Sequence, residues 1–143
     1  MIKFNFTVDI DGSVHEFDMG DMVINVDQAK LSSKGQVPSQ SMMIFIAISD
    51  LLDGLRIFLM KKKNNFEFIG ADSSFRLLFS RGKKGLIRLN HANINYDGID
   101  ETELKNEVLI AAENFIGQFE ENVQGSGAAV GDLISAISDF KNL

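Results

Sequence analysis

Residues 41–60 read SMMIFIAISDLLDGLRIFLM, the longest apolar run in a chain of 143 residues. Wound at 100° per residue, Ser49, Asp50, Asp53, Gly54 and Arg56 gather on one side, and the rest of the circumference is apolar. A helix with so much apolar surface is buried over most of its face. The stretch is too long for a strand, and its Leu, Met and Ala favour helix. Ser39 or Ser41, following Pro38, is the expected N-cap. Lys61, Lys62 and Lys63 end the stretch and set positive charge at the negative end of the helix dipole.

Its length would also suit a membrane span, so magnitudes decide. The ten Leu, Ile and Phe residues between Met42 and Met60 contribute roughly −0.3 to −0.6 kcal/mol each on an insertion scale. Asp50 and Asp53, at the centre, cost about 2.5–3.5 kcal/mol each. The sum is near zero or unfavourable before Arg56 is counted, so the stretch is expected to be a core helix and no membrane association is expected.

Working outward, 2–10 alternates strictly, with Ile2, Phe4, Phe6, Val8 and Ile10 against Lys3, Asn5, Thr7 and Asp9. That period of two predicts a strand with one buried face. Asp11-Gly12 is a hairpin signal, 14–19 the expected return strand, and 22–26 a third strand or extended edge. Residues 27–40 are polar and read as a loop. Beyond the helix, 66–69, 75–80 and 86–91 read as a second antiparallel meander, turning at Asn64-Asn65, Gly70-Ala71-Asp72 and Gly82-Lys83-Lys84-Gly85. Residues 93–100 are polar and turn-rich.

From Glu101 the period becomes helical. Leu104, Val108, Ala111, Ala112, Phe115 and Phe119 form an apolar stripe, with Glu103, Glu107, Asn114 and Glu121 opposite and Asp100 as N-cap. Gln124-Gly125-Ser126-Gly127 breaks the helix. Val130, Leu133, Ile134, Ile137 and Phe140 form a second stripe, opposite Asp132, Ser135 and Asp139. The expected fold is one α+β domain over 1–143: an antiparallel sheet of about five to six strands, one long buried helix between two strand groups, and two C-terminal amphipathic helices.

Charge is uneven along the chain. Residues 56–88 carry nine basic and two acidic side chains, a net of +7, and the remainder carries −13. Such asymmetry shapes how a partner is met. The acidic whole, with a pI near 4.8, argues against nucleic acid as partner. There is no cysteine, so no disulfide or thiolate metal site is possible. The cysteine-free composition and the lack of a short apolar leader block predict a cytoplasmic protein.

Chemistry-bearing candidates are few. Asp50 and Asp53, three apart, share a helix face and could serve as an acid–base or cation-holding pair, with Arg56 in reach of Asp53. His15 and His91 are isolated from one another in sequence and lack metal-ligand spacing. Gly82-Lys83-Lys84-Gly85 lacks the spacing and following helix of a phosphate loop. Gly125-Ser126-Gly127 precedes a helix whose N-terminus could hold an anion. No cofactor is expected.

The runs IAISDLLDGLRIFL (46–59) and NFEFIGADSSFRLLFSR (65–81) resemble small uncharacterised bacterial proteins, some of them encoded beside secreted polymorphic toxins and presumed to be immunity proteins. The shared layout is a hairpin, a helix ending in acid-Leu-Leu-acid-Gly-Leu, and strands around an Asp-Ser-Ser turn. It brings no catalytic residue. The resemblance implies a non-enzymatic module that neutralises a toxin by binding it. Acidic faces carrying Glu103, Glu107 and Glu121 would steer a basic, nuclease-like domain, with Asp50 and Asp53 as further contacts. Two alternatives stand beside it: a homo-oligomer, such as a homodimer, using leftover apolar surface, and a small-ligand binder or enzyme using Asp50 and Asp53 at a pocket rim.

Overall fold

Residues 1–10, 12–119 and 122–143 are described by the computed structural model. In chain order the elements are β1 (Ile2–Val8), β2 (Val14–His15), β3 (Met19–Val26), β4 (Ala29–Ser32), β5 (Met42–Met43), α1 (Ile44–Met60), β6 (Asn65–Ile69), β7 (Arg76–Arg81), β8 (Ile87–His91), β9 (Ile94–Ile99), α2 (Glu101–Phe119), β10 (Val123–Gln124) and α3 (Ala128–Lys141). The class is α+β, with the long helix between two strand groups and two helices at the C-terminal end. The antiparallel strands divide into two sheets. One has the order β1-β3-β4 with β5 also on β3, and the other runs β6-β7-β8-β9.

The first sheet follows from its alternation. Ile2, Phe4 and Phe6 are buried and lie opposite Val26, Ile24 and Met22 of β3, which are buried too. The return strand is therefore 19–26, not 14–19. Continuing from Val14, the alternation would carry the Glu16 carboxylate on Val14's face, whereas Met22, Ile24 and Val26 extend an apolar face without interruption. Only Val14–His15 stays extended, and it pairs in parallel with β10. The turn residue Asp11 lies outside the described residues.

Two stretches expected to be irregular are strands. Residues 29–32 form β4 on β3, and 94–99 form β9 on β8. Both pair on one side only. β4 is only four residues long with one buried side chain, Leu31, and β9 buries only Ile99 and shifts register against β8, so neither carries an alternation long enough to mark it.

Helix α1 begins at Ile44, because Met42–Met43 pairs with Met19–Gly20 as β5. Met43 is the N-cap residue and supplies no side-chain cap. The Ser39 and Ser41 hydroxyls bond to one another instead, at 3.0 Å. Ten of the seventeen residues of α1 are buried, which makes it the element both sheets and both later helices pack around. Phe45 meets Phe115 of α2 edge to face, with centroids 4.9 Å apart, and Phe115 meets Phe6 of β1 at 6.5 Å. On the other side of α1 the Phe66 ring lies against Gly54 and stacks on Phe79 at 5.9 Å. A Cβ at residue 54 would occupy the space of that ring. The glycine of the acid-Leu-Leu-acid-Gly-Leu pattern is thus a packing requirement.

The expected cap of α2 is present: Asp100 Oδ2 accepts the N–H of Glu103 at 3.0 Å. Among the described residues no helix is long and apolar enough to cross a membrane.

Candidate functional site

Helix α3 buries Ala129, Leu133, Ala136, Ile137 and Phe140, while Ile134, expected in the stripe, is 54% exposed. The two alanines on this face are small, and they leave a crevice where α3 lies along α1. Ile46, Ser49, Asp50 and Asp53 line it from α1, and Ala129, Asp132, Ser135, Ala136 and Asp139 line it from α3. The groove encloses about 220 Å³ and is open to solvent. Each helix contributes its polar stripe, so two faces that look like ordinary solvated surface become the two walls of one concavity.

The groove holds four aspartates. Burial pushes the Asp50 carboxyl above its ordinary range, and the charge of Asp53 adds to the rise. Burial does the same to Asp53; Arg56 counters it, and Asp139 and Asp132 add to it. Arg56 makes no ion pair among the described residues, so the expected Asp53–Arg56 bridge is not formed. These carboxylates repel one another, and among the described residues none of the four is in an ion pair, Arg56 acting on Asp53 only from beyond contact distance. They are also spread along the crevice. Among the described residues no three Asp, Glu or His side chains come close enough together to hold a metal ion. That geometry suits several separate cationic groups better than one ion.

Glu103 and Glu107 are elsewhere. They turn toward β1, where Glu103 Oε1 accepts the N–H of Ile2 at 2.9 Å and Glu107 bonds Lys3 Nζ at 3.0 Å. The expected acidic face of α2 is thus partly the seam joining α2 to the first sheet, and it is separate from the groove. Glu121 lies outside the described residues. His15 accepts the N–H of Phe17 at 3.1 Å, and His91 packs on Phe75 and hydrogen-bonds the Arg76 carbonyl. Each is engaged locally.

The helix N-terminus that looked able to hold an anion already holds one. Glu16, fully buried, accepts hydrogen bonds from Gly127 N at 2.8 Å, Ala129 N at 2.7 Å and Ser126 Oγ at 3.2 Å. Burial works to raise its pKa, but these bonds and one from the Val130 backbone outweigh it and hold the carboxyl below its ordinary range. Gly125 makes room for it: its φ is +120°, and a Cβ there would strike the Glu16 carboxylate.

A third carboxylate setting lies where β1 gives way to the following loop. Asp21, 5% exposed, accepts the Ser33 hydroxyl at 2.9 Å, and that hydroxyl accepts the N–H of Met22 at 3.0 Å. Asp9 lies against Asp21. Burial first, then the hydrogen bond and charge of Asp21, push Asp9 up to about 6, with Lys34 opposing.

Spacing alone places Asp132, Ser135 and Asp139 on one polar face of α3, and it carries no signal that this face meets the polar face of α1. Comparison of the chain with family models, curated proteins and solved structures finds no match.

Proposed function

We propose that the protein is a non-enzymatic binding module whose groove between α1 and α3 receives a basic protein partner. The observation that carries this reading is the row of four aspartates from two helices, none of them in an ion pair among the described residues. Bringing Lys or Arg side chains alongside relieves a repulsion already present in the free protein, and it steers the encounter at long range. The distribution of the charge along a crevice favours a polypeptide with several basic side chains over a single ion. It equally favours binding over acid–base chemistry, which needs its groups converging on one reacting atom.

In its specific form the proposal is an immunity-type protein of bacterial origin that occupies a basic toxin domain in the cytoplasm. The sequence resemblance over 46–81 and the acidic groove support it together. Asp50 and Asp53 are the contacts on α1, and Asp132 and Asp139 join them from α3. Glu103 and Glu107 lie apart from the groove, and β1 already engages both.

The test is affinity capture from the native host with the wild-type chain and with the quadruple variant Asp50→Asn, Asp53→Asn, Asp132→Asn, Asp139→Asn, then titration of the captured protein at two salt concentrations. A basic partner whose affinity falls by about tenfold or more in the variant, and falls with salt, supports the reading. Capture that recovers no basic partner, or a basic partner held equally by both proteins, contradicts it.

A further inference from the structure

Besides the groove, one backbone feature is left open. Both sheets have edges, and the edges at β1, β4 and β9 are each flanked by another element, although most of their outward backbone groups have no backbone partner among the described residues. The outer side of β1 runs beside α2, where Glu103 takes the N–H of Ile2. The edges at β4 and β9 lie next to one another, tied by a hydrogen bond from the Tyr96 hydroxyl to Asp27. The fourth edge is β6.

The ladder fixes which groups of β6 are free. Arg81 N donates to Asn64 O at 2.9 Å and Gly70 N donates to Phe75 O at 2.8 Å. Hydrogen-bonded pairs alternate in an antiparallel ladder, so with this register Phe66 and Phe68 also face β7. Asn65, Glu67 and Ile69 point their N–H and C=O groups away from the sheet, and none of these has a backbone partner among the described residues. Beyond Ile69 the edge is closed, because Ala71 O accepts the N–H of Met43.

The surroundings of this edge are specific. At its Asn65 end, Gly54, Ile57, Phe58, Lys63, Asn65 and Phe66 line a shallow, almost wholly apolar hollow of about 240 Å³ that opens to solvent. Beside it stand Lys61, Lys62 and Lys63, all exposed and in no ion pair among the described residues. Of the same basic segment, Arg76, Arg81 and Arg88 are paired with Glu67, Glu101 and Asp97, while Arg56, Lys83 and Lys84, like Lys61–Lys63, are in no ion pair among the described residues. Lys61–Lys63 are the three of these that stand together at the open end of the edge.

We propose that β6 is a second docking surface, taking an extended acidic segment of a partner protein as an added strand. Main-chain bonds to Asn65, Glu67 and Ile69 hold the segment, an apolar side chain enters the hollow at Gly54 and Phe66, and its acidic residues meet Lys61–Lys63. A second copy of this chain is a poorer occupant. Antiparallel pairing centred on the edge would set Glu67 opposite Glu67, a like-charge pair that destabilises a ladder. The inference stands apart from the groove, since it requires a partner of opposite charge.

The probe is a capped octapeptide of alternating Val and Thr ending in three acidic residues, compared with one ending in three Lys, with amide exchange followed by NMR. Exchange at Asn65, Glu67 and Ile69 slows by about tenfold on adding the acidic peptide, and the Lys-ended peptide binds about tenfold more weakly. Glu67→Pro removes an outward N–H, which an edge strand tolerates; it abolishes binding while β7 and β8 amides keep their protection. The double variant Lys61→Glu, Lys63→Glu loses the acidic peptide with the edge intact. Protection unchanged by either peptide overturns the proposal. So does equal binding of both peptides, or protection of the same amides by self-association without any peptide.

Discussion

Glu16 and Asp53 both approach α3, and the helix treats them oppositely. At its N-terminus α3 offers free N–H groups, and Glu16 receives two of them together with the Ser126 hydroxyl. Along its side α3 offers Asp132 and Asp139, whose like charge adds to the rise that burial gives Asp53 and that Arg56 opposes. One carboxyl is held below its ordinary range and the other above it. A buried, fully bonded carboxylate is a structural part, because removing it orphans its donors. A half-exposed carboxylate with no donor contributes little to the fold and is free to be completed by something else. The contrast separates the acids that build this molecule from those available to a partner.

Substitution should expose the difference directly. Glu16→Ala leaves the first N–H groups of α3 without an acceptor in a buried site, and it should give the largest fall in Tm of any single charge removal, with α3 amides losing protection first. Thermal melts and amide exchange measure both.

The pH profile sharpens the comparison because the signs oppose. Glu16, with a lowered folded pKa, contributes stability above the unfolded glutamate value, and that stability is lost as pH falls through its folded pKa. Asp50, Asp53 and Asp9 have raised folded pKa values, so the fold binds their protons more tightly than the unfolded chain does. Their protonation stabilises the protein as pH falls from neutrality through about 6 for Asp9. Tm should therefore peak on the acid side of neutrality and then fall steeply as Glu16 titrates. Asp9→Asn should flatten the rise around pH 6 without moving the acid limb.

A smaller effect is expected in the groove itself. The double variant Asp50→Asn, Asp53→Asn should raise stability at pH 7 by about 0.5 kcal/mol, since both side chains are largely solvated and screened. Chemical denaturation at low and high salt checks it, and the gain should shrink with salt. Of the same small order, Glu107→Gln removes the ion pair to a half-exposed lysine and should cost about 0.2–1 kcal/mol.

The α+β class and the central helix were legible because they rest on periodicity: ten buried residues in α1 and an unbroken alternation in β1 leave little choice. Strands β4 and β9 were not, since β4 is four residues long and β9 shifts register against β8, and each buries a single side chain. The acid pair on α1 could be read from spacing alone. Its completion by Asp132 and Asp139 could not, because that depends on Ala129 and Ala136 letting two helices lie close. Nor did spacing reveal that Glu16, more than a hundred residues earlier, would fill the α3 N-terminus. Glu103 and Glu107 looked like free surface because the strand edge they serve is distant in sequence.

Side-chain carboxyl carbons followed by NMR across a pH titration test the central distinction most directly. The account predicts a Glu16 midpoint below that of an ordinary glutamate, and Asp50 and Asp53 midpoints above that of an ordinary aspartate. Ordinary midpoints for all three, or the reverse order, would contradict it.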